Sequence, residues 1–206
     1  MITLFFDTET TGLNLETAKI ISFSYIICDD EKEIQKGTIE MCPFADITEA
    51  EAPEVQKALS VNGYTPEQVM TFMPYKEGLE KIAMVFVKAK MLNNDYFPRV
   101  IGYNNNVYDM PLIRNNWKKE GVIIPENAVG FKQIDVMQII WGLDAMGLMP
   151  TKVNPTTNKN MGCTLKESVS RMEITADETQ FHGSMYDTMM TKALYDKLKQ
   201  VITINL

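Results

Sequence analysis

The sequence predicts a mixed α/β fold in which helices pack against a five-stranded sheet. The chain opens with runs of β-branched, aromatic and other apolar residues at Ile2–Phe6 and Ile20–Cys28, and with a third run at Ile34–Met41 in which polar and apolar residues nearly alternate. Both patterns are typical of strands. The short connections between the runs favour antiparallel pairing. Helical and strand patterns alternate in the rest of the chain, which indicates a mixed sheet covered by helices.

The remaining chain is expected to supply two more strands and six helices. The strands are expected at Arg99–Tyr103 and Phe131–Val136, and the helices at Ala50–Leu59, Pro74–Leu92, Met110–Lys119, Asp135–Met146, Thr164–Arg171 and Ser184–Val201. Pro111 lies near the first turn of the third helix, where proline is tolerated. We expect one domain over residues 1–206, with the Gly-, Pro-, Thr- and Asn-rich stretch Gly147–Gly162 as an inserted loop.

The composition is that of an ordinary globular protein. Of its 206 residues 45% are hydrophobic and 23% charged, so the chain can bury a substantial core. No apolar run approaches the roughly 20 residues that a membrane span needs, and we therefore expect a cytoplasmic protein with no membrane partner. Cys28, Cys42 and Cys163 are odd in number and widely separated, which indicates neither a disulfide framework nor a zinc site.

The net charge bears on the class of partner. A net charge of −7 and a pI of about 4.9 argue against a protein that holds nucleic acid on a basic surface. The argument weakens if several acidic residues are metal ligands, because bound divalent cations reverse the local field where a phosphate would lie. Nucleic acid therefore stays a candidate partner.

Asp7 and Glu9 lie two residues apart at the end of the first expected strand. Strand geometry places both side chains on one face. Close carboxylates raise each other's pKa unless a cation or a proton neutralises them, so the pair indicates a metal site or an acid–base dyad. The alternative is that both are solvated residues that open the turn at Thr10–Gly12.

Two further carboxylates and the only histidine of the chain lie at the ends of expected elements. Asp109 opens the helix that contains Pro111, either as its N-cap or as a functional group. Asp187 lies five residues after His182 and could instead form a capping box with Ser184. Functional groups are commonly presented at such ends, and the combination favours a functional site.

Three motifs occur in order at these positions, with spacings that agree with one family. They are FDTETTGL at Phe6–Leu13, N-x-x-[FY]-D at Asn105–Asp109 and H-x-[AS]-x-x-D at His182–Asp187. At these residues the sequence resembles the DEDDh (DnaQ-like) 3′–5′ exonucleases, the family that includes the proofreading epsilon subunit of bacterial DNA polymerase III. Asp135 begins a helix where that family often has aspartate. The resemblance implies a ribonuclease H-like fold.

The resemblance also implies a metal-dependent enzyme that hydrolyses phosphodiester bonds at the 3′ end of DNA and releases nucleoside monophosphates. Asp7, Glu9 and Asp187 would hold one Mg²⁺, and Asp7 would bridge to a second ion held by Asp109. A site of four carboxylates suits Mg²⁺, with Mn²⁺ as the expected substitute. His182 would act as general base, since imidazole titrates near neutral pH.

By the same resemblance, several residues of the first two motifs would bind the substrate. These residues are Thr8, Thr10, Thr11, Gly12, Leu13, Asn105 and Tyr108. Leu13 would wedge against a base, although it could otherwise lie in the core. From charge placement alone, Lys152, Lys159 and Lys166 could supply the positive charge that the composition lacks, and a solvated loop without substrate contact is the alternative.

The expected partner is the 3′ end of single-stranded DNA, with a DNA polymerase as a possible protein partner. A 3′–5′ exoribonuclease that trims RNA is the alternative activity. A non-catalytic polymerase-associated module is disfavoured, because a binding module does not require all five catalytic-type residues together.

Overall fold

The computed structural model describes residues 1–124, 129–130 and 133–205. Within these residues the chain forms one mixed sheet of six strands with helices on both faces. The strands are β1 (Ile2–Thr10), β2 (Ile20–Asp29), β3 (Lys32–Cys42), β4 (Met73–Pro74), β5 (Arg99–Gly102) and β6 (Gln133–Asp135). The order across the sheet is β4-β3-β2-β1-β5-β6. The predicted mixed α/β fold is confirmed.

The first three strands are antiparallel, as the short connections predict, and the later strands are parallel to their neighbours. β2 pairs antiparallel with both β1 and β3. β5 lies parallel to β1, and β6 lies parallel to β5. The carboxyl ends of β1, β5 and β6 therefore lie at the same edge of the sheet.

The sheet has one strand more than the five predicted. The additional strand is β4, which pairs parallel with the end of β3 through two residues, Met73 and Pro74. A two-residue strand has no detectable alternation in sequence, and proline is tolerated there because β4 lies at the edge of the sheet. The predicted strand Phe131–Val136 is observed as β6, and residues 131–132 lie outside the described part of the chain.

β1 continues beyond Phe6, where the apolar run ends. Its pairing with β2 extends to Thr10, opposite Ile20, with a register shift after Glu9. Asp7 and Glu9 therefore lie inside the strand and not after it. The sequence pattern ends early because these positions of β1 face a polar site.

The helices are numbered in chain order. They are α1 (Ile47–Ala50), α2 (Pro53–Val61), α3 (Pro66–Val69), α4 (Tyr75–Leu92), α5 (Asp109–Lys119), α6 (Val136–Ala145), α7 (Leu165–Arg171) and α8 (Ser184–Asn205). All six predicted helices are present, and α1 and α3 are too short to show a sequence period. Residues 147–162 contain only an isolated bridge between Val153 and Asn160.

Alternation along β1 separates two cores. Leu4 and Phe6 pack with residues of α4 and α5, including Phe86 and Trp117, on one face of the sheet. Phe5 packs on the other face, against residues of α6, α7 and α8. Asp7 and Glu9 share the face of Phe5, because side chains two apart on a strand point the same way. They are therefore directed towards the α8 side of the molecule.

No helix in the described ranges combines the length and the apolar character needed to cross a membrane.

Candidate metal centre

The end of β1 meets the start of α8 at a cluster of three carboxylates. Ligand oxygens of Asp7, Glu9 and Asp187 all lie within 4.8 Å of one another. The first two residues come from one face of β1, and the third comes from the first turn of α8. Carboxylates at this separation are suited to one divalent cation, which prefers hard oxygen ligands.

Ser184 and the carboxylate of Asp187 do not form the capping box that was the alternative interpretation of this pair. The Ser184 hydroxyl lies 2.9 Å from that of Ser22 and 2.8 Å from that of Ser24, both buried in β2. Oδ2 of Asp187 accepts the backbone N–H of His182 at 3.3 Å. Ser184 therefore attaches the start of α8 to the sheet, which leaves the Asp187 carboxylate directed at β1.

The environment of Oδ1 of Asp187 indicates that the cluster is suited to bind a cation. This oxygen is buried and has no hydrogen-bond partner among the described residues. A buried carboxylate oxygen without a partner is costly. A cation shared with Asp7 and Glu9 would satisfy it, so the cluster has the donor chemistry of a divalent metal site.

Asp109 lies beside the cluster and is held by β1. It is the first residue of α5, and its Oδ1 accepts the hydroxyl of Thr8 at 2.5 Å. Tyr108 precedes the helix, so the structure does not use Asp109 as the N-cap. The negative charge of Asp109 is near enough to raise the pKa of Asp7. Asp109 is thus at the margin of the cluster, next to Asp7.

Burial raises the pKa of all four carboxyl groups and is the largest cause at each position. The negative charges of Asp109 and Asp187 raise it further at both Asp7 and Glu9, and at Asp7 the charge of Glu9 also contributes. The pKa of Glu9 rises to about 9, and those of Asp109 and Asp187 rise to about 6. Without a cation, the cluster therefore binds protons at pH values where isolated carboxylates are ionised.

These shifts predict how stability depends on pH and Mg²⁺. The folded-state pKa values lie above the unfolded values of about 4, so the cation-free protein is expected to lose stability as the pH rises from about 4 towards about 9. Bound Mg²⁺ removes the repulsion. We expect the melting temperature with Mg²⁺ to exceed that in EDTA by about 5 °C or more at pH 8, with a much smaller difference at pH 5.

Thermal melts at both pH values, with Mg²⁺ or EDTA, test this expectation. The variant Asp7→Asn should be more stable than the wild type in EDTA at pH 8 and should respond less to Mg²⁺. A Mg²⁺ effect of equal size at pH 5 and pH 8 would show that these carboxyl groups do not control cation binding.

His182 lies on the segment that leads into α8. Its side chain is exposed and its backbone φ of 72° lies in the left-handed region. The backbone hydrogen bond from His182 and then the charge of its imidazole lower the pKa of Asp187, against the larger effect of burial. The imidazole is therefore close enough to the cluster to interact with it electrostatically.

Asp135 organises the turn between β5 and α5, a contribution that sequence reasoning missed. Its carboxylate accepts the backbone N–H groups of Asn104 at 2.9 Å and Asn106 at 3.3 Å, as well as that of Met137 at the start of α6. Asn104 has a φ of 59°. Asp135 pairs with Gly102 across β5 and β6, so parallel pairing brings this carboxylate to the turn. The sequence indicated only that an aspartate begins a helix at this position, and did not indicate that its carboxylate holds the turn at Asn104.

Asn105 is packed inside the turn. Its side chain has no exposed surface, and neither amide atom has a partner among the described residues. A Cβ on Gly102 would lie 2.6 Å from the Asn105 Cβ, so the glycine makes room for the asparagine. Contact between Asn105 and a nucleic acid strand would require this turn to open.

Thr10, Gly12 and Leu13 of the first motif border an open cleft. The Gly12 carbonyl accepts the hydroxyls of both Thr10 and Tyr108. Leu13 is 86% exposed, so it is not part of the core. Beside it lies a cavity of about 320 Å³ that α2 closes on the other side. Asn62, which sequence reasoning also missed, lines this cavity and donates to the Thr10 carbonyl at 3.0 Å.

Two of the three lysines suggested as a source of positive charge contact other parts of the protein. Lys152 donates to the Ser170 carbonyl at 3.0 Å. Lys166 forms a 2.8 Å ion pair with Glu178. A role for these lysines and for Lys159 in substrate binding stays a prediction.

The chain is similar to known nucleic acid enzymes. A family model described as "Exonuclease" matches residues 4–195. The DNA polymerase III PolC-type of Mycoplasma pneumoniae is 22% identical over 199 residues, which cover 97% of this chain and 12% of that protein. The chain thus spans a small part of this relative.

Solved structures of exonuclease I have the same fold. The Escherichia coli enzyme in complex with a dT13 oligonucleotide matches with a TM-score of 0.76 and 18% identity, covering 97% of this chain and 41% of that one. Exonuclease I from Methylocaldum szegediense matches with a TM-score of 0.76 and 17% identity, covering 97% and 40%. The chain spans about two fifths of these proteins. The predicted ribonuclease H-like fold is confirmed.

Proposed function

Since this chain belongs to the exonuclease family, we propose that it removes nucleotides one at a time from the 3′ end of single-stranded DNA, with two divalent cations held by four carboxylates. The observation that carries this proposal is the convergence of Asp7, Glu9 and Asp187 from opposite ends of the chain, with ligand oxygens within 4.8 Å. Within residues 1–124, 129–130 and 133–205, no other group of three acidic, histidine or cysteine side chains lies close enough to hold one cation.

The four carboxylates differ in position, which supports different roles. Asp7, Glu9 and Asp187 would hold one ion, and Asp7 and Asp109 would hold the second. When bound, the two ions would stabilise the attacking and leaving oxygens of an in-line displacement at phosphorus. Thr8 holds Asp109 by its hydroxyl, so the Asp109 carboxylate is oriented before a substrate arrives.

His182 would accept the proton of the attacking water at an imidazole nitrogen. The side chain is exposed to solvent, and the charge of its imidazole lowers the pKa of Asp187, one of the carboxyl groups of the cluster. A base at this position supports assignment to the DEDDh subtype. As the water attacks, the P–O3′ bond would break and the leaving 3′ oxygen would take a proton from solvent. The imidazolium would release its own proton to water, to which its side chain is exposed.

The cleft beside Leu13 supports an end-directed reaction. The exposed Leu13 side chain helps to line a cavity with Thr10, Gly12 and Asn62. Thr10 is the last residue of β1 and directly follows Glu9, so the cavity lies at the end of the strand that carries the carboxylates. An unpaired terminal base could pack against an exposed leucine with apolar contact. Thr11 lies in the same turn. We therefore assign terminal-nucleotide binding to Thr8 and to Thr10–Leu13, and assign Tyr108 to holding this turn.

We propose DNA over RNA because the proteins to which this chain is similar include a DNA polymerase and an exonuclease I crystallised with a dT13 oligonucleotide. The polymerase relative also supports a DNA polymerase as a protein partner. RNA trimming is the alternative, and the same assay decides between the two substrates.

The test is degradation of DNA and RNA oligonucleotides labelled at the 5′ end, with Mg²⁺, Mn²⁺ or EDTA. We expect a ladder of labelled DNA fragments that shorten one nucleotide at a time with either metal, and no degradation in EDTA. Faster degradation of RNA would move the assignment to the exoribonuclease alternative. Immediate release of a labelled mononucleotide would contradict the 3′–5′ direction.

A further inference from the structure

Tyr186 contacts both ends of the segment 177–181, which directly precedes His182. It lies in the first turn of α8, one residue before Asp187. Its hydroxyl accepts the backbone N–H of Asp177 at 2.6 Å. Its ring packs edge-on against Phe181, with centroids 5.3 Å apart and an interplanar angle of 88°. Phe181 directly precedes His182, so the two contacts enclose the whole segment from residue 177 to residue 181.

Hydrogen bonds of the Asp177 carboxylate link the residues of this segment to one another. Oδ1 of Asp177 accepts the backbone N–H of Thr179 at 3.0 Å and its hydroxyl at 2.7 Å. Oδ2 accepts the side-chain amide of Gln180 at 2.9 Å. These bonds, led by that of the Thr179 hydroxyl, lower the pKa of Asp177. Because the segment is braced internally, a contact at Asp177 also restrains the residues next to His182.

His182 itself has few restraints of its own. Its side chain is exposed and its φ of 72° lies in the region that favours glycine. Such a conformation persists where the surrounding structure determines it. The neighbouring contacts are the backbone bond from His182 to Asp187 and the two contacts of Tyr186 with the preceding segment.

We propose that Tyr186 is a positioning residue that holds the His182 imidazole at the carboxylate cluster, an inference that rests on the proposed function. A general base acts only within hydrogen-bond reach of its proton, and a displacement of about 1 Å can cost orders of magnitude in rate. The motif H-x-[AS]-x-x-D leaves position 186 open, so it does not account for a tyrosine there. The structure accounts for it by the hydroxyl and the ring together.

Two substitutions separate the contributions of the hydroxyl and the ring. Tyr186→Phe removes the acceptor for the Asp177 N–H and keeps the ring, and we expect kcat to fall about threefold. Tyr186→Leu removes both, and we expect a fall of about tenfold. KM and the Mg²⁺ concentration for half-maximal rate should not change, because the carboxylates and the substrate cleft are intact. Tyr186→Phe keeps the inference testable if Tyr186→Leu folds poorly.

Tyr195→Leu is the matched control. Tyr195 lies on the same helix, and its ring packs edge-on against Phe5 at 5.8 Å on the sheet. This variant should lower the melting temperature to a similar extent as Tyr186→Leu and leave kcat unchanged. An equal loss of kcat in Tyr195→Leu would mean that Tyr186 acts only through helix stability, and would overturn the inference.

A double-mutant cycle with His182→Ala gives the decisive readout. If Tyr186 acts through His182, Tyr186→Leu lowers kcat about tenfold in the wild type and has no further effect in His182→Ala. Equal losses in both backgrounds, or a wild-type kcat for Tyr186→Leu, would overturn this inference alone. Wild-type activity in His182→Ala would instead overturn the proposed base, and the inference with it.

Discussion

Asp7→Asn is expected to lower kcat for single-stranded DNA by at least about a thousandfold at saturating Mg²⁺. Asp7 is the one carboxylate that the proposal assigns to both ions, and the charges of Asp109, Glu9 and Asp187 all act on it. Asparagine keeps the shape of the side chain and removes its charge. The loss should therefore come from the site and not from misfolding.

Stability measurements separate these two explanations. Removing a charge from a crowded acidic cluster relieves repulsion, so Asp7→Asn should melt at or above the wild-type temperature in EDTA. Asp29→Asn is the matched control. Asp29 is the last residue of β2 and pairs with Ile2 at the start of β1, whereas the carboxylate cluster lies at the end of β1. The Asp29 carboxylate forms an ion pair with the amino terminus. Its kcat should match the wild type. Retention of a tenth of wild-type activity by Asp7→Asn would rule out the proposed ligand set.

His182→Ala is expected to lower kcat by about a hundredfold or more, the usual contribution of a general base. The Mg²⁺ concentration for half-maximal rate should change little, since the four carboxylates remain. Because His182 is exposed, added imidazole should reach the vacated position and restore part of the activity. Steady-state rates over a series of imidazole concentrations measure this rescue.

The composition of the chain simplifies a second measurement. His182 is the only histidine, so a histidine-selective acylating reagent should inactivate the wild type and leave the residual rate of His182→Ala unchanged. Asp7→Asn should show no imidazole rescue, which makes it the control for non-specific buffer effects. A wild-type rate in His182→Ala would remove His182 from the mechanism.

Much of the fold could be predicted from local patterns. The runs from Ile2 and Ile20 have the β-branched composition of buried strands, and the apolar period of Pro74–Leu92 is that of a helix. These signals depend only on residues that are close together in the sequence, so they can be recognised without the tertiary structure. β4 could not be predicted, because two residues are too few to show an alternation of polar and apolar side chains. Its pairing with β3 also depends on how residues 43–72 fold between the two strands.

The residues of the candidate site could be predicted from motifs at the ends of strands and helices. Their arrangement in space could not. Asp7 and Glu9 were identifiable as a pair on one face of a strand. Their approach to Asp187 depends on Ser184, whose hydroxyl meets two serines of β2 about 160 residues earlier in the chain. Sequence spacing suggested a capping box for Ser184, because local rules consider only neighbours within one turn.

What the sequence by itself determined is the order of the strands and helices other than β4, α1 and α3, the residue types of the site and the class of chemistry that four carboxylates and a histidine support. Tertiary structure decided which side chains meet: Thr8 with Asp109, Asp135 with the turn at Asn104, and Tyr186 with the segment before His182. It also decided the raised pKa values of the carboxyl groups, since burial is their largest cause. The physical reason is that periodicity and capping act over a few residues, whereas burial and contact arise only when distant segments pack.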